Sequence, residues 1–224
     1  MNKITLLFIF FIVITVQAQD TITRDIGDFT ELKVFDKIRV TLIKGDDNRV
    51  EITGIKRRDV DIIQKNNLLK IRMSIGNLWD NNNTEVIVYY TDIHKIDVNE
   101  GARVEVTSTI DSKNLDLRAQ EGASMIATIE TEFLYTKAVT GGEIILKGNA
   151  KEQDISITSG GQYHAKNLKS KKTMVKVSAG GTAEVYAKNY IKANTNAGGT
   201  IKIYGNPREI DSQKLLGGKI IEVN

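Results

Sequence analysis

The second half of the chain alternates hydrophobic and polar residues between regularly spaced Gly-Gly or Gly-Ala pairs. The pairs begin at intervals of 18 to 21 residues and contain 12 of the 18 glycines. Alternation with a period of two is the period of a β-strand, so each repeat is predicted to be a strand, a glycine corner and a second strand. The first glycines of the pairs, which are the predicted structural glycines, are Gly101, Gly122, Gly141, Gly160, Gly180, Gly198 and Gly217.

Hydrophobic residues also recur at fixed distances from these glycines. Four positions in each repeat are mostly hydrophobic: three and five residues after the first glycine, and three and five residues before it. The position four residues before the first glycine is mostly polar. A repeat of about 19 residues cannot bury its own apolar face, so the repeats must stack about 4.8 Å apart. The column three residues after the glycine contains Val104, Met125, Ile144, Tyr163, Ala183, Ile201 and Ile220.

The pattern therefore predicts an all-β protein, a parallel β-solenoid with rungs of about 19 residues. The handedness of crossover connections favours a right-handed coil. At each corner, glycine is expected to adopt positive φ and to let one coil lie close on the next. A β-sandwich is the alternative, but it would need frequent two-residue turns, and the repeat half contains no Asn-Gly step.

The N-terminal β region, residues 19–95, is less regular than the solenoid repeats at 96–224. Short alternating segments are joined by polar turns such as Gly45-Asp46-Asp47-Asn48. No proline or linker-like composition separates the two regions, so we expect one continuous core. Residues 77–84 are predicted to be an exposed loop, which carries the single tryptophan, Trp79.

Residues 1–18 are predicted to be a secretory signal peptide. A positive start at Lys3 precedes an apolar run of thirteen residues, and Val16-Gln17-Ala18 provides a cleavage site after Ala18. The alternative is an N-terminal membrane anchor, but thirteen helical residues span about 20 Å of a hydrocarbon core about 30 Å thick. With no cysteine after the apolar run, there is no site for a lipid-modified cysteine. We expect an exported mature chain without a transmembrane span, in the periplasm, at the outer-membrane surface or outside the cell.

Composition excludes several classes of protein. The 224 residues include no cysteine, 41% are hydrophobic, and the formal net charge is +3. A disulfide-stabilised module or a Cys-ligated zinc module needs cysteines, and a disordered chain needs fewer apolar residues. The charge is too balanced to indicate nucleic-acid binding.

The sequence contains no recognisable catalytic constellation. It has no Gly-x-Ser-x-Gly motif and no phosphate-binding loop, and its two histidines, His94 and His164, are far apart in the sequence. His164 falls in an outward column with Glu184, so a His-Glu contact between rungs is expected. We predict no enzyme activity, no catalytic residues, no metal site and no cofactor.

One outward column suggests a binding surface. Tyr186 and Tyr204 are predicted to stack one rung apart, beside Lys147 and Lys166 in the same column. Tyrosine rings can stack on sugar rings, and lysines can contact acidic groups. The alternative is that the tyrosines merely cover the sheet. Trp79 is a further candidate binding residue, and the alternative for it is likewise a purely structural role. The column, six residues after each first glycine, contains Thr107, Thr128, Lys147, Lys166, Tyr186 and Tyr204.

Several segments together resemble a bacterial family. They are the opening FTELKVFDKIRVTLIKGDDNRVEITG, the segment LLKIRM, the glycine pairs, and the close YGNPREIDSQKLLGGKI. The chain resembles the exported proteins described as putative auto-transporter adhesin, head GIN domain, which are common in Bacteroidota. The resemblance covers residues 29–218 and implies a β-helical exported or surface-associated protein. This chain departs from the commoner Ser-Gly-Ala-Gly corners by having Glu-Gly-Ala twice and Gly-Gly afterwards, so the resemblance does not carry a ligand contact at the corners.

These observations favour an exported, non-enzymatic surface or envelope protein that binds a glycan or an envelope protein. One alternative is a structural envelope module that self-associates through its solenoid ends, because stacked strands leave an unpaired edge. The apolar last rung, residues 215–221, is expected either to be capped by the N-terminal half or to form such an interface. A polysaccharide-degrading β-helix enzyme is a further alternative, suggested by the architecture alone.

Overall fold

A computed structural model describes residues 20–74, 76 and 84–223. The predicted signal peptide and Trp79 lie outside these residues. The described residues form eighteen strands in one continuous sheet, with a 3₁₀ turn at Arg57–Asp59 and no α-helix. None of their helices is long and apolar enough to cross a membrane.

The strands of the N-terminal half are short. They are β1 (Ile22–Asp25), β2 (Glu31–Val34), β3 (Arg39–Lys44), β4 (Arg49–Thr53), β5 (Val60–Lys65), β6 (Leu68–Met73), β7 (Glu85–Tyr90), β8 (Lys95–Val98) and β9 (Arg103–Val106).

The strands of the second half include three of 15 or 16 residues. They are β10 (Ile110–Gln120), β11 (Ser124–Val139), β12 (Glu143–Ile157), β13 (Gln162–Val177), β14 (Thr182–Tyr186), β15 (Tyr190–Thr195), β16 (Thr200–Tyr204), β17 (Glu209–Lys214) and β18 (Lys219–Glu222).

The predicted parallel solenoid is confirmed, with about seven turns and rungs of about 19 residues. The predicted columns are the observed register: Met125 pairs with Val104 on one side and with Ile144 on the other. Both partners and Met125 itself are buried, as the alternation requires. One core of buried apolar side chains extends from Phe29 to Ile203 and so includes both predicted regions.

The glycine corners are two-residue turns in which both residues have positive φ. At the first of them, Glu100 has φ 53° and Gly101 has φ 70°, and the Ala102 N–H donates to the Asn99 carbonyl at 3.0 Å. Positive φ at both central positions is the geometry of a type I′ turn. Corners also bond to one another, because each first-glycine N–H donates to a corner carbonyl of the next rung, from Gly101 to Glu121 and onward to Gly198.

The two residues of a glycine pair have different roles. A Cβ at the first glycine, such as Gly160, would meet no atom within 4 Å, so this glycine is needed for its φ of +73°. A Cβ at the second, such as Gly161, would overlap the carbonyl oxygen of Ala138 in the preceding rung. The close approach expected of the first glycine therefore belongs to the second.

The N-terminal strands extend the stack in an order that differs from the chain order. β2 and β3 pair in parallel with β8 and β9 on one side and with β6 and β7 on the other. The rung formed by β2 and β3, the first in chain order, therefore lies between the rung of β6 and β7 and the rung of β8 and β9, which contains the first glycine corner. The corner between β2 and β3 has no glycine: Asp36 and Lys37 adopt φ of 58° and 59°, and the Lys37 N–H donates to the Glu100 carbonyl at 3.0 Å.

The N-terminal half forms one end of the solenoid and also caps that end. β4 pairs antiparallel with β7 and β1, and β5 pairs antiparallel with β6, which ends the parallel stacking there. The expectation that this half caps the last rung is therefore wrong, because it lies at the opposite end of the stack.

At the other end, no described strand pairs with the outer edges of β17 and β18. Three inward positions are polar in this last rung, at Ser212, Lys214 and Glu222, whereas Ile210 and Ile220 continue the apolar columns and pack against the core. A polar outer face is typical of a solenoid cap. Self-association through this end stays a prediction, and a contact there would combine these polar residues with the exposed Leu215 and Leu216.

Candidate functional site

A second corner, opposite the glycine pairs in the sequence repeat, separates two outer surfaces of the solenoid. Here buried hydroxyl groups satisfy the backbone inside the bend: Ser112 Oγ donates to the Asn114 carbonyl at 3.0 Å, and Ser170 Oγ to the Lys172 carbonyl at 2.9 Å. Thr131 makes the same bond at 3.3 Å in a rung between them. The alternation of buried residues changes phase at this bend, from Ala150 to Gln153 on β12, so side chains before and after it project on different surfaces.

The surface before the bend carries a cleft rich in lysine. It has a volume of about 440 Å³, and we call it the lysine cleft. Four of its lysines are exposed, and they come from three successive segments of the chain. The cleft is lined by Asn149, Ala150, Lys151, Lys169, Ser170, Lys171, Tyr186 and Lys188.

Most of the charge in the lysine cleft is not neutralised by the protein. Lys151 lies 3.9 Å from the Glu132 carboxylate, an exposed pair that contributes little. Lys169, Lys171 and Lys188 have no carboxylate within 4 Å among the residues that the structure describes. Three unpaired ammonium groups in one concave surface create a local positive potential.

Tyr186 is held at the edge of this cleft by the core. The buried Gln153 amide donates to the Tyr186 carbonyl at 3.1 Å and to Thr173 Oγ1 at 3.0 Å. Its oxygen accepts a bond from the buried Tyr163 hydroxyl at 2.9 Å. Burial raises the pKa of Tyr163, so its hydroxyl stays a donor. The Tyr186 ring lies over Gly205 in the next rung, where a Cβ would come within 2.8 Å of it.

The predicted column is confirmed for the pair Tyr186 and Tyr204, and it is wrong for the pair Lys147 and Lys166. Tyr186 pairs directly with Tyr204, and both are half-buried. Lys147 pairs with Asn167 rather than with Lys166. The rung from Gly160 to Gly180 has one extra residue, which a β-bulge on β13 absorbs: Ala165 and Lys166 lie opposite the single residue between Ile145 and Lys147.

Lys147 and Lys166 lie in a separate, smaller cleft of about 210 Å³, together with His164. Sequence reasoning thus placed Tyr186 in the lysine cleft but missed the lysines around it. The signal was present, because Lys169 and Lys171 fall within five residues of Lys166.

The predicted contact between His164 and Glu184 is present in this smaller cleft. His164 Nδ1 lies 3.3 Å from Glu184 Oε2, and its Nε2 lies 3.5 Å from Glu143 Oε1. Lys202 Nζ donates to Glu184 at 3.1 Å. Partial burial would raise the pKa of Glu184, but the bonds from Lys202 and His164 outweigh it and lower the pKa. The cluster is an ion-pair ladder, and the described residues contain no group of three side chains placed to hold a metal ion.

Beyond the bend lies a second concavity, of about 450 Å³, that sequence reasoning missed. We call it the aromatic groove, because two exposed aromatic rings line it. The groove is lined by His94, Lys95, Asn114, Leu115, Asp116, Phe133, Leu134, Tyr135, Glu152, Gln153, Asp154, Lys172 and Met174.

Three acidic residues stack at the corners of adjacent rungs, at Asp36, Glu100 and Glu121. The pKa of Glu100 is raised by its hydrogen bond to Asp36 and further by burial and by the charges of both neighbours. This stack therefore affects stability through its electrostatics.

The described residues define a class of protein: a parallel β-solenoid whose outer surfaces carry clefts without a recognisable catalytic group. The chain belongs to the family described as "putative auto-transporter adhesin, head GIN domain", which matches residues 28–207. This confirms the resemblance seen in the sequence. A search of curated proteins found no match.

Solved structures share the fold at low sequence identity. A putative adhesin from Bacteroides fragilis is 17% identical with a TM-score of 0.84, covering 92% of this chain and 98% of that one. A putative adhesin from Parabacteroides distasonis is 24% identical with a TM-score of 0.77, covering 92% and 97%. A putative lipid binding protein from the same species is 16% identical with a TM-score of 0.70, covering 93% and 98%. These likenesses concern the fold alone.

Proposed function

We propose that this protein is an exported, non-enzymatic binding module of the adhesin type, and that its lysine cleft binds anionic polysaccharide. The observation that carries the proposal is the group of three exposed, unpaired lysines beside the Tyr186 ring. Membership of an adhesin family supports a binding role over catalysis.

The chemistry of the cleft suits a repeating acidic polymer. Ammonium groups on separate segments can contact successive carboxylate or sulfate groups, and each exposed charge pair contributes about 0.2–1 kcal/mol. An aromatic ring at the edge can stack on a sugar face for about 0.5–1.5 kcal/mol. Tyr204, which adjoins Tyr186, extends that aromatic surface by one rung.

The proposal is tested with the mature chain, residues 19–224, against alginate and dextran sulfate, with uncharged dextran as the reference ligand. The variant Lys169→Gln/Lys171→Gln/Lys188→Gln removes the unpaired charge. A control, Lys65→Gln/Lys176→Gln/Lys219→Gln, removes the same charge from exposed lysines that do not line the cleft.

We expect the cleft variant to bind the anionic polymers about tenfold more weakly and the control less than about threefold, since three pairs of about 0.2–1 kcal/mol sum to about 0.6–3 kcal/mol and about 1.4 kcal/mol is tenfold. Binding should also weaken as salt is raised from 50 to 300 mM. Tyr186→Ala/Tyr204→Ala should also weaken binding, and circular dichroism checks the fold of this variant because both rings are half-buried. Equal losses in the two lysine variants would refute the cleft as the site.

Export and the absence of catalysis are parts of the same proposal. Expression with the first 18 residues in a Gram-negative host should give a mature protein that starts at Gln19, as measured by intact mass. Release of reducing or unsaturated ends from acidic polysaccharides, with or without calcium, would instead establish an enzyme.

A further inference from the structure

We propose that the aromatic groove is a second, independent binding site, which takes the faces of uncharged, hydroxyl-rich sugar rings. It lies on the other side of the second corner from the lysine cleft, and its chemistry differs from that of the cleft. The proposal does not depend on the binding of anionic polymers.

Two exposed aromatic rings follow each other on one strand of the groove. Phe133 is 41% exposed and Tyr135 is 53% exposed, and Met174 nearby is 37% exposed. The two aromatic residues are two apart on β11, so their side chains leave the same face about 6.6 Å from each other. Large apolar side chains that remain exposed together in a concavity typically mark a binding surface.

The rings are not stacked on other rings, as they would be if they only covered the sheet. Phe133 pairs with Asn114 in one neighbouring rung and with Glu152 in the other. Tyr135 lies between Asp116 and Asp154 in the same way. Each ring therefore has polar side chains on both sides along the stacking direction.

Most charges around the groove are paired within the protein, with the Asp154 carboxylate as the exception, which favours an uncharged ligand. Asp116 forms a two-point contact with Arg118 at 2.8 and 2.9 Å. Lys172 lies 3.6 Å from Glu152, and Lys95 lies 3.5 Å from a glutamate of the neighbouring rung. This contrasts with the lysine cleft, where the ammonium groups have no partners.

Hydrogen-bonding groups beside the rings remain available for hydroxyl groups. The Asp154 carboxylate and the Asn114 amide have no side-chain partner among the residues that the structure describes. A carboxylate accepts bonds from hydroxyl donors, and an amide both donates and accepts. An acyl chain would instead desolvate these groups without replacing their bonds, at a cost of about 1–3 kcal/mol each. Aromatic faces with flanking acceptors match a sugar ring, whose C–H face is apolar and whose edge carries hydroxyl groups.

The test measures binding of cellohexaose, xylohexaose and mannohexaose to the mature chain by isothermal titration calorimetry at 50 and 300 mM salt. Phosphatidylethanolamine–phosphatidylglycerol vesicles serve as the lipid arm. Phe133→Ala/Tyr135→Ala removes the rings, and Asp154→Asn keeps the shape but changes the acceptor. The control, Ile126→Ala, truncates a side chain that is 48% exposed and does not line the groove.

We expect at least one neutral hexasaccharide to bind with an affinity that salt changes less than twofold. Affinity should fall about fivefold or more in Phe133→Ala/Tyr135→Ala, since two stacked rings that each contribute about 0.5–1.5 kcal/mol sum to about 1–3 kcal/mol. Asp154→Asn should weaken binding by a few fold, and Ile126→Ala should leave it unchanged.

The proposal is overturned if no neutral hexasaccharide binds at millimolar concentration, or if Phe133→Ala/Tyr135→Ala binds the sugars as the parent does. It is also overturned if that variant loses binding to vesicles instead of binding to sugars. The Lys169→Gln/Lys171→Gln/Lys188→Gln variant must retain neutral-sugar binding. Loss there, with an intact fold by circular dichroism, would merge the two sites and refute their independence.

Discussion

The division of roles within each glycine pair predicts that adjacent substitutions have unequal costs. A Cβ at Gly142 would overlap the Ala119 carbonyl oxygen and lie 2.9 Å from the Gln120 nitrogen, so the two rungs must move apart. Overpacking against backbone typically costs 1–3 kcal/mol, and we expect about 3 kcal/mol or more, because a carbonyl cannot rotate away as a side chain can.

The neighbouring Gly141 provides a matched control of the same chemical change. Its Cβ would meet only the Gly122 nitrogen, at 4.0 Å, so the cost is that of a non-glycine residue at φ +74°, about 1 kcal/mol. A melting temperature falls about 2–4 °C per kcal/mol in a chain of this size. Gly142→Ala should therefore lower the melting temperature by about 6–12 °C, and Gly141→Ala by about 2–4 °C, as measured by circular dichroism.

Equal shifts, or a larger shift for Gly141→Ala, would refute this account of the corner. Ala102 and Ala123 occupy the same position in earlier rungs and are buried there, so the turn itself accepts a Cβ at this position. The cost at Gly142 therefore comes from the close approach of two rungs.

Three further predictions concern single positions. Leu216 is 80% exposed at φ 48°, so Leu216→Asn should raise the melting temperature by about 2–4 °C, and an unchanged value would contradict the cost assigned to that turn. The raised pKa of Glu100 means that its charge opposes folding above that pKa and is relieved as the pH falls towards the unfolded value. Glu100→Gln should therefore raise the melting temperature at pH 7, and this increase should become smaller as the pH is lowered. An increase that became larger in acid would contradict the direction of the pKa shift. Gln153→Met leaves the buried Tyr163 hydroxyl without its acceptor and should cost about 1–3 kcal/mol in urea unfolding, part of which Tyr163→Phe should recover in the double variant.

The regular half of the fold was accessible from the sequence because one period fixes both the turn and the register. The glycine spacing placed Val104, Met125 and Ile144 in one inward column, and the structure pairs them. The order of the N-terminal rungs was not accessible, because the Asp36-Lys37 corner reaches positive φ without glycine. Nothing in the local pattern shows that β2 and β3 lie between β6/β7 and β8/β9, since strand insertion depends on contacts distant in sequence.

The candidate sites were accessible only in part, for a similar reason. Counting from the glycines placed Tyr186 beside Tyr204 correctly, but one extra residue in the rung of Lys166 moved that lysine out of line. Phe133 and Tyr135 alternate on one strand, and a column count beyond the second corner would have found them. What a count cannot show is whether an outward side chain is covered, because that depends on the bend and on side chains of neighbouring rungs.

The most direct test of the central claim is the salt-dependent binding of alginate by the parent chain and by Lys169→Gln/Lys171→Gln/Lys188→Gln. Binding by the parent is expected at 50 mM salt, with about tenfold weaker binding by the cleft variant and near-parent binding by the control with three other lysines removed. Absence of binding by the parent, or equal binding by all three proteins, would contradict the assignment of the lysine cleft as the functional surface.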